Sequence, residues 1–146
     1  ISLCLPNAKI IQVDRNAMDV CFGCFRQLFN ENWKFTYDFD ELAAAYASYQ
    51  TTMSHWEKLF PSFLMRVSYE ELIKNFDKSV SDILSFCGLE HEVACLNPHE
   101  NQRVITTLSA TQVRQPIFRS GINRWRVYEE DLTPLQEALT NQGFNY

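Results

Sequence analysis

Arg15 is the residue whose type and position most directly suggest chemistry. The run from Ala8 to Val13 predicts a buried strand, and Asn16 predicts the N-cap of the helix that follows. In open α/β folds, the junction between a strand and a helix N-terminus holds anionic ligands, and a guanidinium grips a phosphate with two hydrogen bonds. We interpret Arg15 as a candidate phosphate ligand. The alternative is a surface residue, or an ion pair with Asp14 or Asp19.

Tyr69 occupies a similar place after a second predicted strand, Phe63 to Val67. Its ring would stack on a nucleotide base or form a hydrogen bond with it. The alternative is a tyrosine that packs at a strand–helix corner. Glu70 and Glu71 favour the start of a helix over a catalytic pair of carboxylates.

The stretch from Leu89 to Gly121 lacks clear periodicity, apart from a short helix predicted at Val93 to Leu96. An irregular segment of this length in a compact domain is usually functional. Hydroxyl groups and guanidinium groups are interleaved along it, which would suit a second phosphate contact; they belong to Arg103, Thr106, Thr107, Ser109, Thr111, Arg114 and Arg119. A solvated loop with scattered polar residues is the alternative.

Other kinds of site are less well supported. Cys21 and Cys24 form a CxxC pair, but both lie on the apolar face of a predicted helix, and no second CxxC or nearby histidine completes a zinc site. We expect buried free thiols, which fits a reducing, cytoplasmic compartment. No serine lies in the context of a nucleophile elbow, and no phosphate-binding loop of the Gly-x-x-x-x-Gly-Lys-Ser/Thr type is present.

Composition argues against two further classes of protein, those that bind nucleic acids over a broad surface and those that span a membrane. The 146 residues carry a net charge of −5, which argues against a broad nucleic-acid surface, although a small pocket needs only a few local cations. The aromatic and basic run RWRVY is therefore interpreted as a packing Trp125 flanked by arginines. No apolar run reaches the length of about 18 residues that a membrane span needs, and no signal peptide is visible.

The predicted strands and helices that would position these residues alternate along the chain. The helix after Asn16 is predicted to end near Asn30 to Asn32, and NWKFTYDFD is predicted to be a loop. Later helices are predicted at about Glu41 to Phe60, Ser79 to Cys87 and Pro134 to Gln142, with Gly88 as the residue after the second of them. Alternating strands and helices favour an α/β fold with a parallel sheet covered by helices. Two strands are too few for a complete sheet, so we expect a chain that is cut at its N-terminus.

Four segments, taken in order, resemble the sulfotransferase family. The similarity is closest to the branch that is often fused to tetratricopeptide repeats and is related to protein-tyrosine sulfotransferases. LPNAKIIQVDRNAMDVCFGCF resembles the strand–Arg-Asp-Pro–helix segment, and YASYQTTMSHW resembles the long helix. RVSYEELIKNFDKSVSDILSFCGLE resembles the Tyr-Glu-Asp-Leu segment, and TLSATQVRQPIFRSGINRWRVYEEDLTPLQEAL resembles the C-terminal cofactor loop.

The resemblance implies transfer of a sulfuryl group from 3′-phosphoadenosine 5′-phosphosulfate (PAPS) to a hydroxyl or amine. Arg15 would bind the 3′-phosphate of PAPS or of its product, 3′-phosphoadenosine 5′-phosphate (PAP), and Tyr69 would lie near the adenine. Gly23 stands where the family usually has a serine for the same phosphate, and Asn16-Ala17 replaces the usual Asp-Pro. Further contacts would come from the segment that closes over the nucleotide, at Ser109, Arg114 and Arg119.

The resemblance also implies a three-layer fold related to P-loop hydrolases, with residues 1–146 as a single partial domain. The family's phosphosulfate loop lies on the first strand–helix unit, upstream of Ile1, and its general base usually lies upstream as well. Because in-line transfer needs both, we expect little or no transfer activity from this chain alone, with acceptor and catalytic base unassigned. The competing hypothesis is a degenerate, non-catalytic domain that binds a partner or self-associates through an exposed sheet edge.

Overall fold

The computed structural model describes residues 1, 3–29, 31–101, 114–115, 117 and 120–146. Within the chain, two compact units are distinguished. Unit 1 comprises Ile1–Asp14 and Ser62–Arg119, and unit 2 comprises Arg15–Pro61 and Ser120–Tyr146.

Unit 1 contains a small parallel sheet. Strand β1 (Ile10–Asp14) pairs with strand β2 (Leu64–Ser68) in a register that sets Ile10 beside Leu64 and Asp14 beside Ser68. This pairing confirms the prediction of an α/β fold with parallel strands.

Helices follow β2 directly in unit 1. Ser68 accepts a hydrogen bond from the Glu71 amide at 3.3 Å and so caps helix α3 (Tyr69–Lys74), and helix α4 (Phe76–Cys87) comes next. Glu70 and Glu71 lie in the first turn of α3, as the sequence predicted, and α4 begins at Phe76, three residues before its predicted start near Ser79. Gly88 ends α4 with a φ of 69°, as predicted. Short 3₁₀ helices follow at Val93–Leu96, as predicted, and at Pro98–Glu100.

Unit 2 contains three α-helices in its described part. Helix α1 (Ala17–Phe25) is capped by Asn16, and helix α2 (Phe39–Leu59) is capped by Asp38, whose carboxylate accepts hydrogen bonds from two first-turn amides. Helix α5 (Thr133–Asn141) lies near the end of the chain.

Two boundaries in unit 2 differ from the sequence prediction. Helix α1 ends at Phe25 rather than near Asn30, and the predicted loop contains a 3₁₀ helix at Glu31–Tyr37. The Tyr37 hydroxyl accepts a hydrogen bond from the Phe29 amide at 2.8 Å and lies 3.1 Å from the Phe29 carbonyl. These hydrogen bonds link the residues after α1 to the segment that precedes α2, and the helix does not extend through them.

The core of unit 2 joins both ends of its sequence. Side chains from α1, α2, α5 and the 3₁₀ helix at Arg124–Tyr128 form one buried cluster. The buried members are Ala17, Met18, Cys21, Phe22, Leu42, Ala43, Tyr46, Trp125, Leu132, Leu135, Ala138 and Leu139. Trp125 is only 2% exposed, which confirms its predicted packing role. The core thus holds α1 against the C-terminal segment of unit 2.

Candidate functional site

Arg15 lies directly between β1 and α1 in the chain, and the structure gives its side chain internal partners. Its guanidinium donates a hydrogen bond to the Gly121 carbonyl. The same group lies 3.6 Å from the Asp19 carboxylate, and the Arg15 side chain keeps 29% of its surface exposed. Of the two ion pairs considered from sequence, the one with Asp19 is formed, whereas Asp14 pairs with Arg66 at 3.0 Å.

Asp19 is the residue that organises this cluster. It lies in the first turn of α1 and is 2% exposed. Its carboxylate accepts hydrogen bonds from the amides of Asn123 at 2.7 Å and Trp125 at 3.4 Å. A buried carboxylate is stable only when such donors replace its water, and the Arg15 charge adds to them.

The main chain of Arg15 is held as well as its side chain. The Tyr46 hydroxyl of α2 donates to the Arg15 carbonyl at 3.2 Å, and the Gln50 amide donates to that hydroxyl at 2.9 Å. Arg15 is therefore fixed from three elements of unit 2: α1, α2 and the segment Gly121–Trp125. A rigidly held, partly exposed guanidinium is suited to bind an anion with little loss of side-chain entropy.

Gly23 lies on an exposed part of α1. A Cβ atom built at this position would meet no atom within 4 Å. The structure therefore leaves room for the serine that the family pattern calls for, and nothing nearby requires a glycine.

The other predicted site residues are distributed along the chain. Tyr69 is the first residue of α3 in unit 1 and is half-buried. Arg114, in the same unit, donates a hydrogen bond to the Asn101 carbonyl. Ser109 and Arg119 lie outside the described residues.

The CxxC pair has the character of buried thiols. Cys21 is fully buried, and burial together with the charge of Cys24 raises the pKa of its thiol from 9.0 to about 12. Burial also raises the pKa of Cys24, which is partly buried. Both side chains stay protonated at neutral pH, whereas a metal-binding or nucleophilic cysteine must be a thiolate.

The described part of the chain lacks two other features. No cluster of three or more His, Cys, Asp and Glu there has the arrangement of a metal site. No helix there is both long enough and apolar enough to cross a bilayer.

Unit 1 contains a separate cleft beside β2. It has a volume of about 330 Å³ and is lined by Met65, Arg66, Val67, Ser68, Glu71, Asn75, Lys78, Ser79 and Asp82. Lys78 and Asp82 form an ion pair at 2.7 Å at its rim, and the hydrogen bond to Asp82 raises the pKa of Lys78. Two cationic and two anionic side chains line the cleft, so its charges balance.

Comparison with known proteins adds two findings. A family model described as the sulfotransferase family matches residues 1–93, which include Arg15, Gly23 and Tyr69. A protein of Aquifex aeolicus (strain VF5), described as an uncharacterized protein, is 34% identical over 147 residues, an alignment that covers 99% of this chain and 19% of that protein. The chain therefore spans about a fifth of the length of this relative. The family match extends over more than half of the sequence and includes the strand, the arginine and the helix on which the site depends, and the chain belongs to the sulfotransferase family.

Proposed function

We propose that this chain is part of a sulfotransferase that transfers a sulfuryl group from PAPS to a hydroxyl or amine acceptor, and that Arg15 binds the 3′-phosphate of the nucleotide. The observation that carries the proposal is that the Arg15 side chain is held in place and is still partly exposed to solvent. It lies within the family match, its side chain is 29% exposed, and α1, α2 and the segment Gly121–Trp125 hold it in place.

The chemistry of the group supports a phosphate ligand. A guanidinium offers donors in a planar fork that matches phosphate oxygens, and the adjacent N-terminus of α1 favours negative charge. The nearby Asp19 carboxylate offsets part of the Arg15 charge. Selectivity for a phosphate would therefore depend on the direction of the Arg15 N–H donors more than on the net positive charge of the site.

The remaining site assignments are part of the same proposal. Tyr69 would contact the adenine, and Ser109, Arg114 and Arg119 would belong to the segment that closes over the nucleotide. We also propose that both units belong to one three-layer domain of the type related to P-loop hydrolases. The family match from residue 1 to residue 93 supports this, since it includes parts of both units. Five cysteines without a disulfide are consistent with a reducing, cytoplasmic location.

Thermal denaturation with PAP tests the nucleotide assignment. At a PAP concentration about a hundredfold above Kd, the Tm of the wild-type chain should rise by about 5 °C or more. Arg15→Ala should remove most of that rise. Arg26→Ala is the matched control, because it removes a cation from the end of α1 that lies over the Phe22 ring and should leave the rise intact. No rise at millimolar PAP would refute a nucleotide site in this chain.

Self-association is the second candidate function, and the exposure of β1 favours it. Ile11 and Val13 point to the same side of the strand and are 38% and 52% exposed. Sedimentation velocity at rising concentration should show larger species for the wild type and a monomer for Val13→Lys, because a charge on the strand opposes pairing. Val127→Lys, at a position 77% exposed in unit 2, is the control and should behave like the wild type. A wild-type chain that stays monomeric would refute this function.

A further inference from the structure

We propose that Asp19 is a positioning residue for the phosphate site at Arg15: its buried carboxylate holds the guanidinium and the segment Gly121–Trp125 in one fixed arrangement without touching the nucleotide. This inference rests on the proposed function of Arg15 and extends it to Asp19, which the sequence analysis considered only as an ion-pair partner of Arg15.

The first line of support is that one carboxylate serves two parts of the site. One oxygen, Oδ2, accepts the Asn123 amide at 2.7 Å and lies 3.6 Å from the Arg15 guanidinium. The other, Oδ1, accepts the Trp125 amide at 3.4 Å. Loss of the carboxylate would therefore release the arginine and the C-terminal segment at the same time.

The second line of support is a closed ring of contacts. Arg15 donates to the Gly121 carbonyl, and the chain then runs from Gly121 to Asn123 and Trp125, whose amides return to Asp19. Asn123 adopts a left-handed conformation with a φ of 56°, so the segment bends where its amide meets the carboxylate. Asparagine adopts this conformation more readily than other non-glycine residues, so the bend suits the residue at position 123.

The third line of support is burial. The Asp19 side chain has no exposed surface, whereas the Arg15 side chain retains 29%. A ligand can reach the arginine from solvent, but the carboxylate lies behind it. Asp19 thus acts on a bound phosphate only through Arg15 and the segment Gly121–Trp125.

Whether Asp19→Asn weakens or strengthens PAP binding distinguishes a positioning role of Asp19 from a purely electrostatic one. Asp19→Asn keeps the size of the side chain and one oxygen acceptor but removes the charge that orients Arg15. If Asp19 only offset the Arg15 charge, its loss would strengthen anion binding. If Asp19 positions Arg15, its loss should weaken PAP binding by about tenfold, as for the loss of one well-made polar contact.

The experiment measures PAP and adenosine 5′-monophosphate (AMP) binding by calorimetry for the wild type, Asp19→Asn and Glu129→Gln. AMP lacks the 3′-phosphate, so its affinity should change less than about twofold in Asp19→Asn while PAP affinity falls about tenfold. Glu129→Gln removes an exposed carboxylate that pairs with Arg126 in the same unit and should match the wild type. Near-UV circular dichroism, to which the buried Trp125 contributes, checks that each variant keeps its fold.

Hydrogen exchange at the Asn123 and Trp125 amides provides a readout that does not depend on nucleotide. An asparagine offers one acceptor oxygen where the carboxylate offers two, so at least one of these amides should exchange faster in Asp19→Asn, and unchanged exchange at both would overturn the positioning role. Unchanged or tighter PAP binding in a folded Asp19→Asn variant would overturn it as well. If the wild type itself does not bind PAP, the proposed function fails and the positioning role fails with it. If the wild type and Asp19→Asn bind PAP equally well, only the positioning role is refuted.

Discussion

At the scale of single residues, Arg15 lies just before the Asn16 cap of α1, and Asp19 lies in the first turn of that helix. They are four positions apart, and the ion pair between them is 3.6 Å long. The backbone amides that complete the Asp19 environment come from positions 104 and 106 residues further along the chain. The chemistry of the pair therefore depends on a contact that only folding creates.

Gly23 leads to a prediction about the phosphate site. Gly23→Ser should strengthen PAP binding by about tenfold if the added hydroxyl reaches the 3′-phosphate, because a hydrogen bond to a charged group contributes about 1.5–3 kcal/mol. Gly23→Ala adds the same Cβ without the hydroxyl and should leave the affinity unchanged. Calorimetric titration with PAP measures both, and equal affinities for the two variants would show that position 23 does not contact the nucleotide.

Cys21 leads to a prediction about alkaline stability. Its thiol titrates at pH 9.0 in the unfolded chain and at about 12 in the folded one, so above pH 9.0 the unfolded state loses a proton that the folded state keeps. This thiol should therefore lower the free energy of unfolding as the pH rises from 9.0 toward 12, and should have no such effect below pH 9.0.

The comparison with Cys21→Ala isolates that contribution, because tyrosines and lysines titrate in the same range in both proteins. Urea denaturation between pH 7 and pH 11 should give a difference between wild type and variant that is constant up to about pH 9 and shrinks above it. A difference that is independent of pH would contradict the raised pKa.

At the scale of the elements, capping residues determine where helices begin and end. Asn16, Asp38 and Ser68 each accept a first-turn amide, and Gly88 ends α4 in the left-handed region. These capping interactions involve residues that are close in sequence, so they could be predicted in part from the sequence. The end of α1 could not be predicted in this way, because it depends on hydrogen bonds between the Phe29 backbone and the hydroxyl of Tyr37, which lies eight residues later at the end of a 3₁₀ helix.

Two glycines provide a matched test of helix energetics. Gly88 has a φ of 69°, so Gly88→Ala should lower stability by about 1 kcal/mol. Gly23 lies within α1 with open space around it, so Gly23→Ala should raise stability by about 0.5–1 kcal/mol. Chemical denaturation of both variants measures the two effects, and a shared sign would contradict the assigned backbone conformations.

At the scale of the whole chain, unit 2 depends on residues from both halves of the sequence. The family match ends at residue 93, yet the core that supports α1 includes Trp125 and α5. A fragment that stops at the end of the family match would therefore lose much of the core behind Arg15.

Leu135 tests that dependence. It is fully buried in the unit 2 core, so Leu135→Ala should lower stability by about 2–5 kcal/mol. The same variant should also weaken any PAP response, since α1 loses its support. Leu28→Ala, at a position 89% exposed, is the control and should lower stability by less than about 0.5 kcal/mol. Equal destabilisation of the two variants in urea would show that α5 is not part of this core.

The local features of this protein follow from short stretches of its sequence. Hydrophobic periodicity, Asn16 and Gly88 indicated most of the elements, since these signals act over a few residues, and the parallel arrangement followed from their alternation. The motif order indicated the family and the place of Arg15. The assignments of Ser109 and Arg119 stay predictions, because both lie outside the described residues.

The surroundings of Arg15, in contrast, are set by tertiary packing. Asp19, Gly121 and the amides of Asn123 and Trp125 are brought together by the packing of α1, α2 and α5. Local sequence left a surface arginine, an ion pair and a phosphate ligand open, because each is compatible with the same residues around position 15. A buried carboxylate must find its donors wherever the chain supplies them, and here they come from more than a hundred residues away.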